Sequence, residues 1–309
     1  MIEARNLVRR YGDFKAVDDV SFRIEPGEVV GLLGHNGAGK TTIMKMLTGF
    51  LEPSAGSAVV DGVDVFADPS LVQAQMGYLP ENSPLYPELS VVDYLAYAAD
   101  LRGLDPQQCV PEAVAATQLQ EKALDPIRTL SRGFKQRVGV AQAILHKPRF
   151  LILDEPSNGL DPTQTQHMRD LIRSLAQSAT VILSTHIMQE VNAVCDRAMI
   201  LRAGKLAVDE RLDELQKTSS VALHTTPGVD VAGLLQPLAE VDSVSASGDG
   251  AWSVRLGAPI EQGAASVARA LVGANLPIHA LTPQVRDLET LFTQVSEGAQ
   301  KEGGAQHAA

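Results

Sequence analysis

Eight residues, Gly34-His35-Asn36-Gly37-Ala38-Gly39-Lys40-Thr41, stand between an apolar run, Val29 to Leu33, and a helix-patterned stretch from Thr42 to Leu47. Strand, glycine-rich turn and helix in that order describe a phosphate-binding loop. The glycines let the backbone curl until successive N–H groups point at a β-phosphate. Lys40 is placed to bridge β- and γ-phosphates, and the Thr41 hydroxyl to ligate Mg²⁺. The helix that opens at Thr42 adds its positive N-terminal end. A glycine-rich turn with no ligand would have no use for Lys-Thr at the helix start.

The rest of the first two thirds of the chain fits this opening. Short runs that are apolar throughout, such as 150–153 and 180–184, alternate with longer helix-patterned stretches, which is the rhythm of an α/β protein. Strands apolar on both faces belong in a parallel sheet covered on both sides, with ligands beyond the carboxyl ends of the strands. From Ser90 to Leu130 the pattern turns helical, with Ser90 and Asp93 spaced as a capping box and Pro106, Pro111 and Pro126 as punctuation.

Two further segments carry chemistry. The run Phe150-Leu151-Ile152-Leu153 ends in Asp154-Glu155, two adjacent carboxylates at a strand tip. Asp154 can hold Mg²⁺ through water, while Glu155 can act as general base on an attacking water. An apolar strand ending in Asp-Glu could by itself be a plain turn boundary; the phosphate loop is what gives the pair a task. In Leu130-Ser131-Arg132-Gly133-Phe134-Lys135-Gln136-Arg137, Ser131 sits as N-cap of a helix running to about His146. Read locally it caps its own helix. Read with the rest, its hydroxyl, the Gly133 N–H and the helix dipole could bind the γ-phosphate held by another subunit.

Phosphate loop, Leu-Ser-x-Gly-x-x-Gln-Arg segment and strand ending Asp-Glu, in this order, resemble the nucleotide-binding domain of an ABC transporter over residues 2–216. The resemblance implies an α/β P-loop ABC ATPase fold with a helical insert at about 90–147, binding ATP and Mg²⁺. It makes Tyr11, 23 residues before Gly34, the adenine-stacking aromatic, although a bare Tyr in a turn could also be core. It makes Ser157-Asn158-Gly159-Leu160-Asp161 the loop that crosses the subunit boundary. His186, after the strand 180–185, becomes the γ-phosphate-sensing switch, where a lone histidine would otherwise be structural.

The nucleotide-binding set implied is therefore Tyr11, Gly34 to Thr42, Ser131, Arg132, Gly133 and Asp161. The metal set is Thr41, Asp154 and Glu81, and the catalytic set is Glu155, His186 and Glu81. Two segments depart from the commonest form of the family. Arg132 and Phe134 stand where Gly and Gln are usual, and Glu81, after Gly77-Tyr78-Leu79-Pro80, stands where a glutamine is usual. Both variants, with the stretches 78–87 and 288–292, resemble ABC-2-type exporter ATPases. The implied partners are a second copy, forming an ATP sandwich, and a separate membrane permease docking near Pro80 to Tyr86.

Composition narrows the alternatives. The net charge of −11 is shared by both parts, 21 Lys+Arg against 28 Asp+Glu up to residue 216 and 5 against 9 beyond, which argues against a nucleic-acid role. Cys109 and Cys195 form no metal-type pair and read as reduced thiols. Residues 1–15 lack the apolar core of a secretory signal, and no window has 18 consecutive apolar residues. The expectation is a cytoplasmic protein, peripheral on the inner face of the membrane through its permease. A soluble ABC ATPase of translation or DNA repair would usually carry two cassettes or a long coiled-coil insertion. A small-molecule P-loop kinase would need an acceptor site and lid, but neither Ser131 nor His186.

Past residue 216 the charges thin out and Ala, Val and Gly rise, which places a domain boundary there. The pattern predicts strand 221–225, helix 231–240, strand 241–246, a turn at Asp249-Gly250, strand 251–256, helix 260–274, strand 276–281 and helix 285–295. That order is ferredoxin-like α+β, an accessory domain over 217–296 without a catalytic constellation. His224 and His279 fall on different strands and read as structural. Leu288, Leu291, Phe292 and Val295 form an apolar helix face that must pack on its own sheet, on the ATPase domain or on a partner. Residues 297–309 have no periodicity and predict a disordered tail.

Overall fold

The computed structural model describes residues 1–216, 220–284, 288–293 and 295. Its elements run β1 (Ile2–Tyr11), β2 (Phe14–Ile24), β3 (Val29–Leu33), α1 (Lys40–Leu47), β4 (Ala55–Val60), β5 (Val63–Asp64), α2 (Pro69–Gln73) and β6 (Met76–Leu79). Then come α3 (Val91–Leu101), α4 (Pro106–Ala116), α5 (Arg132–Ile144), β7 (Phe150–Asp154), α6 (Pro162–Ala176), β8 (Thr180–Thr185), α7 (Met188–Val194), β9 (Arg197–Arg202), β10 (Lys205–Arg211) and α8 (Leu212–Gln216). The last are β11 (Ser220–His224), α9 (Val231–Leu235), β12 (Val241–Gly248), β13 (Ala251–Leu256), α10 (Ile260–Gly273) and β14 (Ala280–Pro283). Contacts divide the chain into two compact units, one built on Met1–Leu212 and one on Asp213–Gln294.

In the first unit a six-stranded sheet has the order β10-β9-β3-β8-β7-β6, parallel except where β10 pairs with β9. β3, β7 and β8 are buried along their whole length, and alternate residues feed opposite faces. Val30, Leu32, Ile152 and Ile182 pack with α1, β1 and β2, whereas Val29, Leu151, Leu153 and Leu183 pack with α5 and α6. This two-sided burial is why these strands read as unbroken apolar runs. The rhythm of the sequence implied parallel strands only. The structure adds an antiparallel sheet, β2-β1-β4-β5, whose strands alternate buried and exposed residues and so carry a weaker apolar signal.

The insert consists of α3, α4 and α5 around their own core of Val91, Tyr94, Leu95, Val110, Val114 and Val138. Ser90 caps α3 by accepting the Asp93 N–H at 3.2 Å, and Asp105 caps α4. Pro111 lies inside α4 rather than ending it. The burial of Cys109, Val110, Ala113 and Val114 on either side outweighs the hydrogen bond that proline removes.

The second unit is a four-stranded antiparallel sheet, β12-β13-β11-β14, around a core that includes Val221, Leu223, Val254, Val267 and Leu271. The predicted element order is present, with two boundaries moved. α9 stops at Leu235 because Pro237 has no N–H to continue the helical ladder beyond Gln236. β14 begins at Ala280 because Pro277 cannot donate to a ladder; its carbonyl instead accepts from Thr225 Oγ1 at 2.7 Å. Residues 288–293 are helical, with Leu288 and Leu291 buried. The remainder of the predicted last helix apart from Val295, most of the polar link at 217–220 and the tail at 297–309 lie outside the described residues.

Candidate functional site

Register decides what meets at the site. β3 pairs with β8 so that Leu33 stands opposite Thr185, and β8 pairs with β7 so that Ser184 stands opposite Asp154. The three strands therefore end side by side. Gly34, Glu155 and His186, each the first residue past its strand, emerge at one edge of the sheet.

Glu155 and His186 line a cleft of about 670 Å³ together with Tyr11, His35, Asn36, Gly37, Gly39, Lys40, Thr41, Thr42 and Glu81. The loop is shaped by positive φ at Gly37 (82°) and Gly39 (106°). A Cβ on Gly39 would lie 2.6 Å from the Ala16 carbonyl oxygen, so only glycine lets the loop approach that close. Ala38 is buried in the core beneath, and its N–H donates to His35 O at 3.0 Å.

Lys40 is buried and doubly held. Its ammonium donates to Gly34 O at 2.7 Å and lies 3.3 Å from Glu155 Oε1. The other Glu155 oxygen, Oε2, is 2.9 Å from His186 Nδ1. Glu155 adopts a left-handed φ of 49°, which costs a non-glycine residue on the order of 1–3 kcal/mol and marks positions over-determined by their surroundings. Here the surroundings are the Ser184 carbonyl and hydroxyl, which both accept the Glu155 N–H, at 3.2 and 2.9 Å.

Ser184 Oγ also donates to Asp154 Oδ1. Asp154 is wholly buried and its Oδ2 has no hydrogen-bond partner among the described residues. A buried carboxylate oxygen without a donor is costly unless a cation or ordered water faces it. The donor set thus fits a hard cation near Thr41. The neighbouring Tyr78 phenol is pushed well above its ordinary range by burial and then by the charges of Asp154 and Glu81, which keeps it neutral. Exposed Glu81 accepts weakly from Asn158 Nδ2 at 3.5 Å.

Ser131, Gly133 and Asp161 do not reach this cleft within the chain. With Phe134, Arg137 and His167 they line a second cleft of about 540 Å³. Ser131 caps α5, accepting from the Phe134 N–H at 3.4 Å, and Asp161 caps α6, accepting from the Gln164 N–H at 2.9 Å. Arg132, the departure from the usual glycine, lies flat against Gly159. A Cβ there would come within 2.4 Å of the guanidinium, so the start of α5 and the loop after β7 are packed on each other.

Sequence reasoning missed Phe14 and Ala16, which line the nucleotide-loop cleft together with Asn158 of the 157–161 loop, and Ser184 behind it. Phe14 had a legible signal: it is an exposed aromatic paired with Tyr11 across the tight turn of the β1–β2 hairpin. Ser184 had none, because its role comes from strand register.

Comparison with known proteins agrees with this geometry. The family described as ABC transporter matches residues 17–158. The chain is 31% identical to the ABC transporter ATP-binding protein YdbJ of Bacillus subtilis, over 98% of this chain and 97% of that protein. It is 35% identical to the bacitracin transport ATP-binding protein BcrA of Bacillus licheniformis, over 70% of this chain and 72% of the relative. Among solved structures, an ATP-binding subunit of an ABC transporter superposes with a TM-score of 0.63 at 31% identity, covering 70% of this chain and 92% of that one.

Proposed function

The chain belongs to the ABC transporter ATP-binding proteins, and on that premise we propose that two copies close around two ATP molecules, each phosphate loop facing the partner's Ser131 helix. The protein is the ATP-hydrolysing motor of a transporter. The observation that carries the detailed reading is the convergence of the phosphate loop, the Asp154-Glu155 tip and His186 at the ends of three adjacent strands.

Each residue has a task in this cycle. Tyr11, seconded by Phe14, stacks on adenine at the mouth of the cleft. Entering phosphates draw Lys40 away from Gly34 O and Glu155 Oε1, and the backbone N–H groups of residues 35–41 cradle the β-phosphate. Glu155, released from the ammonium, orients the attacking water with one carboxylate oxygen and accepts its proton. His186, hydrogen-bonded to the other oxygen, meets the γ-phosphate. Magnesium, when bound, neutralises charge between the β- and γ-oxygens, and Thr41, the free Oδ2 of Asp154 and Glu81 are the groups that would hold it. From the partner come Ser131, Gly133 and the positive end of α5, with Arg132 and Asp161 at the subunit boundary.

Among the described residues no helix is long and apolar enough to cross a membrane. In this reading the motor acts on a separate permease, which would hold it at the cytoplasmic face of the membrane. Exposed Phe50, Tyr86, Tyr97 and Leu101 offer that permease an apolar landing near Pro80 to Tyr86. The relative that serves bacitracin transport, with the Arg132 and Glu81 variants, favours an ABC-2-type exporter.

A contrast of two variants tests the composite site. Lys40→Ala should abolish ATP binding, because Lys40 acts within its own cleft. Ser131→Ala should leave monomer binding nearly intact while removing ATP-driven dimerisation and turnover. Equal loss of nucleotide affinity in both, by titration calorimetry, would refute a site shared between copies.

A further inference from the structure

The switch histidine has little packing to hold it. Its side chain is 45% exposed, and its one hydrogen bond among the described residues is that to Glu155. Its orientation must therefore come from the backbone on either side, and there the chain is clasped. Thr185, fully buried, donates its hydroxyl to Glu190 Oε2 at 2.8 Å and accepts the Ile187 N–H on the same oxygen at 3.0 Å. Glu190 returns to the loop through its own N–H, which donates to Ile187 O at 3.1 Å. Both neighbours of His186 thus hang on one hydroxyl, and the direction of that hydroxyl is set by one carboxylate. Glu190 is only 3% exposed, and its Oε1 has no hydrogen-bond partner among the described residues. A carboxylate serving merely as a favourable charge in the first turn of α7 would do so at the surface without the cost of burial.

We infer that Glu190 is a positioning residue that fixes the γ-phosphate-sensing loop through Thr185, so that His186 meets Glu155 and the nucleotide in one geometry. The inference rests on the reading of His186 as that sensor. Glu190→Gln keeps an acceptor for the Thr185 hydroxyl; Glu190→Ala and Thr185→Val each remove one half of the clasp, and Thr185→Ser restores it.

The experiment measures Mg-ATP turnover of the full-length protein for these variants and for His186→Ala, together with the His186 ring signals in ¹⁵N-histidine-labelled protein. Displacing a reacting group by about an ångström costs up to about a hundredfold in rate, so Glu190→Ala and Thr185→Val should lose at least about tenfold in kcat, with KM for ATP within about threefold. Both should also shift the His186 signal, while Glu190→Gln and Thr185→Ser stay within about threefold of wild type with the signal unmoved. Wild-type turnover in His186→Ala would overturn the sensor reading itself. An impaired His186→Ala beside a Glu190→Ala or Thr185→Val within twofold of wild type would overturn the clasp alone. So would a loss of rate in those variants with the His186 signal unchanged. If Glu190→Ala does not fold, the Thr185→Val and Thr185→Ser pair decides by the same two readouts.

Discussion

Glu155 holds Lys40 with one oxygen and His186 with the other. On the proposed reading of Glu155 as general base, a phosphate that takes up Lys40 would release one of these oxygens for the attacking water. Glu155→Gln should keep ATP binding but hydrolyse at least about a hundredfold more slowly, since loss of a general base costs 10² to 10⁴ in rate. The variant should accumulate as an ATP-bound dimer, visible by gel filtration with ATP. Turnover above a third of wild type would mean that another group takes the proton. Gly39 makes the same point in backbone terms. Its φ of 106° alone costs an L-residue roughly 1–2 kcal/mol, and an alanine methyl would sit 2.6 Å from Ala16 O. Gly39→Ala should therefore lower the melting temperature and abolish nucleotide binding together. A variant that still binds ATP within about threefold of wild type would show that the loop has room the geometry denies it.

The parts of the site most legible in the sequence belong to fully buried elements. β3, β7 and β8 announce themselves because both faces are apolar, and each runs directly into a candidate site residue, Gly34, Glu155 or His186. What the sequence could not carry is pairing: nothing in Ser184 says that it stands opposite Asp154. Pairing is long-range, and pattern is local. The end of α5 adds a case where an element sets a pH response. His146 Nε2 meets Met76 O at 3.1 Å while Nδ1 is buried without a partner. Burial, then the nearby Arg102 charge, lowers its pKa to about 4 against the opposing backbone hydrogen bond. An unfolded histidine protonates near 6.5, so between 6.5 and 4 the unfolded chain binds the proton and the folded one resists it. The stabilising contribution is thus complete above pH 6.5 and is lost as pH falls toward 4. The melting temperature of His146→Gln should fall less steeply than that of wild type across that window. Parallel curves would mean that His146 titrates normally in the fold.

At the scale of the whole chain, the cores do not mix. The three apolar clusters of the first unit are built from residues before Arg211, and that of the second from residues after Ser220. A unit with its own core can fold alone. Every residue assigned a role in ATP binding or hydrolysis lies in the first unit, whereas the second carries the antiparallel sheet and no group of three or more His, Cys, Asp or Glu able to hold a metal, among the described residues. The ferredoxin-like order of that unit was readable because its turns and prolines are strong punctuation; its task was not, since its sequence carries no motif with a chemistry attached. Truncation after Lys217 should therefore give a cooperatively melting protein that binds ATP within about threefold of the full chain. If the second unit tunes the opening of the dimer, the truncated form will differ in the lifetime of its ATP-bound dimer or in turnover with the permease, not in nucleotide affinity. Matching behaviour in dimer lifetime, ATPase rate and transport would leave residues 221–295 a dispensable appendage. Loss of folding on truncation would instead show that the two cores, though separate in composition, depend on each other for stability.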